Sequence, residues 1–202
     1  MTIDNDFKIQ FLNQTGAGIF GKTGAEMAGK QCYDCFKTSD CRTNDCACQQ
    51  AMVKGSQANR ETDAHPAEGV DLDIKYIGFP MKDENGEILG AAEVVVDQTE
   101  VKKAARLAEK RASYQGRQVN ALIERMSDMG DGALDRPFVA EDGDDDTRQA
   151  WEDFLSIGEA VEALRSGLLE KTRLAEAIAA GDLSNEVQLA SDRDALGKAL
   201  RT

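Results

Sequence analysis

Ile88-Leu89-Gly90-Ala91-Ala92-Glu93-Val94-Val95-Val96 is a strand-like run that stops at Asp97-Gln98-Thr99, and from Val101 onward the apolar residues adopt the spacing of a long helix. That change of period divides the chain. Upstream, Phe7-Lys8-Ile9-Gln10-Phe11-Leu12 and Leu72-Asp73-Ile74-Lys75-Tyr76-Ile77 alternate apolar and polar residues, as half-buried strands do. Asn85-Gly86, inside Lys82-Asp83-Glu84-Asn85-Gly86-Glu87, signals a hairpin turn between the second and third runs. Residues 14–54 carry short helical patterns broken by glycine. The first half therefore reads as strand, strand, short helices and three strands, an α+β unit with a five-stranded antiparallel sheet.

Downstream, Val101, Ala105, Ala108, Ala112, Gln115, Val119, Leu122, Met126 and Met129 keep a four-three spacing for four heptads. A second seam runs Phe154, Ile157, Val161, Leu164, Leu168, Lys171, Ala175 and Ile178. A seam this narrow cannot bury itself within one helix, so partner helices are expected, most simply from a parallel homodimer. The small residues and the polar Gln115 and Lys171 would weaken any one packing solution. Met129-Gly130-Asp131-Gly132-Ala133-Leu134-Asp135 is echoed by Ala179-Ala180-Gly181-Asp182-Leu183-Ser184-Asn185, with Gly132 and Gly181 placed to end helices. Each is followed by a helix expected to begin near an apolar-Gly pair, Ile157-Gly158 or Leu196-Gly197. The acidic stretch Glu141 to Asp146 reads as a solvated connector, since it lacks the spaced glutamate of a calcium loop.

The chain has 202 residues and a net charge of −13, which opposes a nucleic-acid role because phosphate binding needs a basic surface. Hydrophobic residues, at 41%, are enough for a core, yet no long apolar stretch could span a bilayer. Without a secretion signal at Met1-Thr2-Ile3-Asp4, a cytoplasmic piece of a longer chain is expected, any membrane anchor lying in that parent. All five cysteines fall in one pattern, Cys32-x2-Cys35-x5-Cys41-x4-Cys46-x-Cys48. Such a cluster is a poor disulfide framework and suits soft-metal ligation, reversible disulfides or buried thiols. Four sulfurs could hold an iron–sulfur cluster or a tetrahedral zinc ion. With His65 as the one histidine, no base–nucleophile pair is in view, and an enzyme is not expected.

Several stretches also resemble known signalling modules. Gly29-Lys30-Gln31-Cys32-Tyr33-Asp34, Phe36-Lys37-Thr38 and Cys41, with the closing Asp97-Gln98-Thr99, resemble the cysteine-bearing PAS domains of methyl-accepting chemotaxis proteins. Ala180-Gly181-Asp182-Leu183 and Asp194-Ala195-Leu196-Gly197 resemble the junction motifs of HAMP domains. The first helical unit departs from that pattern at Ser156 and in its longer loop. The resemblance implies a PAS-like sensor at 1–99, a linker helix at 100–106 and a HAMP-like unit at 107–167. A second, truncated unit would fill 168–202, the helices pairing as a parallel four-helix coiled coil in a dimer.

It further implies that Cys32, Cys41, Cys46 and Cys48 are metal ligands, with Cys35 a spare or alternate. Arg60 and Lys75 would be pocket cations for an acidic ligand. Asp97, Thr99, Val101, Gly132, Gly181 and Gly197 would be relay positions. An iron–sulfur cluster is the first cofactor expected and zinc the alternative; haem is not expected, because His65 falls between strands. The implied role is signal input and relay to a downstream kinase-control region of a chemotaxis transducer. The input region of a sensor histidine kinase, or a structural dimer with a zinc-stapled head, are the alternatives.

Overall fold

The structure, a computed structural model, describes residues 1–201. The chain divides into two compact units, Met1–Ala105 and the residues from Arg106 onward.

In the first unit, β1 (Thr2–Asp4) and β2 (Ile9–Phe11) precede four short helices. These are α1 (Gln14–Gly18), α2 (Gly24–Met27), α3 (Cys32–Phe36) and α4 (Ala47–Lys54). Then come the long strands β3 (Ala58–Ala67), β4 (Val70–Lys82) and β5 (Ile88–Asp97). The sheet order is β2-β1-β5-β4-β3, with every neighbouring pair antiparallel. The Asn85-Gly86 turn forms where its residues place it. Asp83 accepts hydrogen bonds from the N–H groups of Asn85 and Glu87 at 2.9 and 2.8 Å, and Gly86 adopts a positive φ of 86°.

Alternation on β4 sends Ile74, Tyr76 and Gly78 toward the helices. Gly78 lets α4 lie against the strand, because a Cβ there would stand 2.7 Å from the carbonyl oxygen of Ala47. One core gathers Ile3, Ile9, Leu12, Ala17, Met27, Cys48 and Ala91; a second gathers Ala47, Ala51, Ala58, Ala64, Ile74 and Tyr76. The α+β reading of this half holds.

At the end of the sheet β5 passes within two residues into α5 (Thr99–Gly130). Thr99 Oγ1 accepts from the N–H of Asp73 at 3.0 Å, and Asp97 accepts from the N–H of Thr99 at 2.8 Å. Lys102 reaches Glu61 at 3.2 Å. The first turn of α5 is thus fastened to β3 and β4.

The second unit holds the rest of α5, α6 (Arg148–Ala179) and α7 (Ala195–Arg201). The segment after α5 runs back beside it: Arg136 pairs with Asp128, Glu141 with Arg117, and Asp144 and Asp146 both with Lys110. Tyr114 then packs edge-on against Phe154, and Met129 and Leu168 line one hollow farther along. These contacts rise together along both helices, so α5 and α6 run in the same direction. Gly132 and Gly181 end α5 and α6 with positive φ values of 86° and 84°. The same pair of turn bonds follows each, Ala133 N–H to Asp128 O and Asp182 N–H to Ala177 O among them. This is the glycine-terminated helix end that the echoed sequences imply.

Two expectations for this half, the start of α6 and the place of Lys171, need correction. Helix α6 begins at Arg148, well before Ile157-Gly158, because Ala150 and Phe154 already have Tyr114 and Phe138 to pack against. The acidic stretch is the solvated connector its composition implies, and it is held in place: besides the ion pairs on Lys110 and Arg117, the carbonyl of Glu141 accepts from the Tyr114 hydroxyl at 2.6 Å. Along the middle of α5, Tyr114 and Gln118 are buried against the returning connector, while the neighbouring seam positions Gln115 and Val119 stay exposed, open to the partner helices expected there. Lys171 does not loosen a seam; it is buried, and its Nζ meets Asp194 at 3.3 Å and the Gln188 carbonyl at 2.7 Å.

A thiol-lined candidate functional site

Between α3 and α4 the chain makes a tight, heavily hydrogen-bonded excursion that carries Cys41 and Cys46, with Cys32 and Cys35 on α3 before it and Cys48 on α4 after it. Cys32 opens α3, its N–H donating to the carbonyl of Phe7 at 3.0 Å. Helix α3 stops at Lys37, which takes a left-handed φ of 50°, and Arg42 does the same at 60°. Backbone held in this region by residues other than glycine is costly and must be imposed by its surroundings. The sources are visible. Thr38 donates its backbone N–H to the Cys41 sulfur at 3.3 Å. Ser39 donates both its N–H and its hydroxyl to Asp63 on β3, at 3.0 and 2.9 Å. Buried Asp40 accepts from the Tyr76 hydroxyl at 2.8 Å, and that hydroxyl accepts from the N–H of Ala47 at 3.2 Å.

This bracing turns Cys32, Cys41, Cys46 and Cys48 toward one enclosed space of about 30 Å³, walled on the sheet side by Tyr76 and Glu93. A second space of about 100 Å³ lies on the other side of Cys32, Cys41 and Cys46, bounded by Phe7, Tyr33 and Gln49. Arg42 borders it too, its guanidinium 4.2 Å from the centre of the Tyr33 ring and paired with Asp34 at 2.9 Å. Cys35 borders neither space. Among the described residues no three histidine, cysteine or acidic side chains already stand at ligand spacing. The thiols share a space, not yet a point.

The thiols differ electrostatically. The Cys48 thiol hydrogen-bonds to Cys46, and the N–H groups of Gln49 and Cys48 add to that; against the burial that opposes it, Cys46 is lowered to about 6. Its thiolate is therefore accessible at neutral pH. Cys48 moves the other way, through the same hydrogen bond and through burial, and stays protonated. Burial raises Cys32, and raises Cys41 despite its bonds to Thr38. Glu93, raised to about 7 by burial and by the neighbouring Cys46, is the residue that sequence reasoning missed. Its strand run gave no sign beyond one carboxylate among apolar residues.

The two cations expected in a ligand pocket are elsewhere. Arg60 reaches Asp45 at 3.2 Å and Asp40 at 3.5 Å, bracing the cysteine segment, though its buried Nε–H finds no hydrogen-bond partner. Lys75 lies on the face of β4 opposite its buried neighbours Ile74 and Tyr76. His65 bridges Asp63 and Asp71 at 2.8 and 2.6 Å, so it joins the chain of contacts that ends at Ser39.

Residues 1–100 match the family described as PAS domain. Among solved structures, the PAS domain of a protein from Colwellia psychrerythraea is 17% identical, with a TM-score of 0.44 over 49% of this chain and 84% of that one. The PAS domain of Bordetella pertussis BvgS gives 18%, 0.36, 54% and 81%, respectively. The PAS-B domain of Drosophila melanogaster Cycle, solved with ethylene glycol bound, gives 15%, 0.38, 47% and 96%. No curated protein matches the chain.

Proposed function

From the premise that residues 1–100 are a PAS domain, we propose that this chain is the cytoplasmic, non-enzymatic input and relay region of a chemotaxis-type transducer. The cysteine-lined cavity is its sensing site. The observation that carries this reading is the convergence of Cys32, Cys41, Cys46 and Cys48 on one space in a domain whose last strand runs directly into α5. Thiolates are soft donors, and a Cys46 already biased toward its thiolate would open a site for zinc, copper(I) or iron. A space of about 30 Å³ is small, which favours a single ion over an iron–sulfur cluster unless the thiols open toward the neighbouring space.

The relay would use HAMP-like helices paired as a parallel dimer, leading to a kinase-control region beyond this chain. Parallel α5 and α6, a connector folded back along α5 and matched glycine ends support that reading. A second reading, favoured by the Cys46–Cys48 hydrogen bond, is a dithiol switch. Cys46 thiolate would attack a small-molecule disulfide, and Cys48 would displace the bound half, leaving an intramolecular disulfide and two released thiols.

Anaerobic purification with metal analysis tests the first reading. About one metal ion per chain is expected, lost in a Cys41→Ala, Cys46→Ala double variant that still self-associates. Iron with sulfide and a brown colour would replace the single ion by a cluster. Full metal content in the double variant would overturn the ligand assignment.

A further inference from the structure

The four cysteines and the carboxylate that line the small cavity come from two layers of the domain. Cys32, Cys41, Cys46 and Cys48 all belong to the segment from α3 to α4, whereas Glu93 is carried by the middle of β5. Glu93 shares its face of β5 with Ala91, which is fully buried, and it lies opposite Gly78 of β4, where α4 packs against the sheet. A carboxylate on the helix-facing side of a sheet is costly unless it is paired with a cation. The side chains beside it are thiols. No guanidinium or lysine ammonium lines the space; the cation that does is the N-terminal ammonium of Met1, which donates to the backbone carbonyl of Glu93 at 2.8 Å. From this juxtaposition we propose that Glu93 is the oxygen donor of the thiol site and the one ligand through which an ion bound there grips the sheet.

The proposal rests on the thiol-cavity reading and adds a direction to it. A site made of cysteines alone would tie the α3–α4 segment to itself and leave β5 untouched. A site that includes Glu93 fastens that segment to the strand which continues through Asp97 and Thr99 into α5. Occupancy would then be read as rigidity of β5 and its junction, without any change in the cysteine segment having to reach α5 by another route. The chemistry is that of a borderline divalent ion with mixed sulfur and oxygen donors, such as zinc, for which cobalt(II) is a coloured stand-in.

Metal-free full chain, reduced and kept anaerobic, is titrated with cobalt(II) while absorbance and amide hydrogen exchange are followed. Wild type should take up one ion and gain exchange protection across residues 91–99. Glu93→Gln should weaken cobalt binding at least about tenfold and lose the protection at 91–99, while the cysteine segment is still protected at saturating metal. Glu93→Met guards against a merely structural role. Because it removes a half-buried carboxyl from the helix-facing side of the sheet, it should leave the melting temperature of the metal-free protein at or above that of wild type while weakening cobalt binding to the same degree. Cobalt affinity and protection at 91–99 left unchanged in both variants would overturn the proposal while leaving the thiol site standing. Failure of the wild type to bind cobalt at all would overturn both.

Discussion

The two halves of this molecule bury their apolar side chains in different ways. In the sheet unit Ile3 and Ile9 are fully covered and Met27 is 1% exposed, so this half builds a core of its own, even though Val94 and Val96 on β5 stay 53 and 51% exposed. In the helical unit the largest buried group is a small cluster around Tyr114, Phe138, Ala150 and Phe154, while Val119, Met126 and Leu164 stay 43, 51 and 53% exposed. Those exposed residues are members of the heptad seams. A half with a buried core can hold a site in fixed geometry, whereas apolar residues left uncovered at heptad spacing are open to a second surface. The proposed sensing and relay roles would draw on that difference.

The strongest way to break the comparison is to charge the stripe. Val119→Asp with Met126→Asp removes about 1.5–3 kcal/mol of apolar burial per side chain if that face pairs with a second copy. Self-association measured by sedimentation should then weaken by at least about two orders of magnitude, with the sheet unit unchanged by circular dichroism. Sedimentation identical to wild type would mean that the stripe has no partner and that the contrast is only one of burial.

A second measurement sharpens the contrast from the other side. Tyr76→Phe strips the hydroxyl that links Asp40 to the start of α4, leaving a buried carboxylate short of a donor at a cost of about 1–3 kcal/mol. The loss should lower the melting temperature of the sheet unit and leave self-association intact. A shift in both would show that the two halves unfold together.

The smallest effect concerns His65, whose pKa is raised first by Asp71 and then by Asp63. A raised folded-state value means that its contribution to stability is complete below about pH 6.5, the ordinary histidine value, and is lost as pH rises through the folded value. An NMR titration should place His65 above that ordinary value, and Asp71→Asn should bring it back toward it. Since Asp63 also holds Ser39, amide signals of the cysteine segment should follow the same titration in wild type.

Much of the first half was legible because its signals are local. Alternation in residues 72–77, the Asn85-Gly86 turn and the change of period at Asp97 each depend on a few adjacent residues. Gly132 and Gly181 were legible for the same reason, since a left-handed helix end needs only a glycine in place. The set Cys32, Cys41, Cys46 and Cys48, taken from a family resemblance, is the set that shares the cavity, with Cys35 outside it. Glu93 was not legible. A strand's periodicity says which residues share a face, but not that a carboxylate on that face will meet thiols from a segment nearly fifty residues away. That a second face of α5, with Tyr114 and Gln118, is covered within the chain was not legible, because the partners that cover it lie in the returning connector. Lys171, which looked like a flaw in a seam, was drawn in by Asp194.

By itself the sequence determined the kind of each element, where the sheet gives way to helix, and which sulfur atoms were available for a site. Those properties follow from torsional preference, periodicity and composition, which act over a few residues. Which side of each helix is covered, how the acidic connector is fastened, and the meeting of Glu93 with the cysteines were decided only by the tertiary structure. Each of these depends on groups brought together by burial from distant parts of the chain, and close packing selects among pairings that a local pattern leaves equally open.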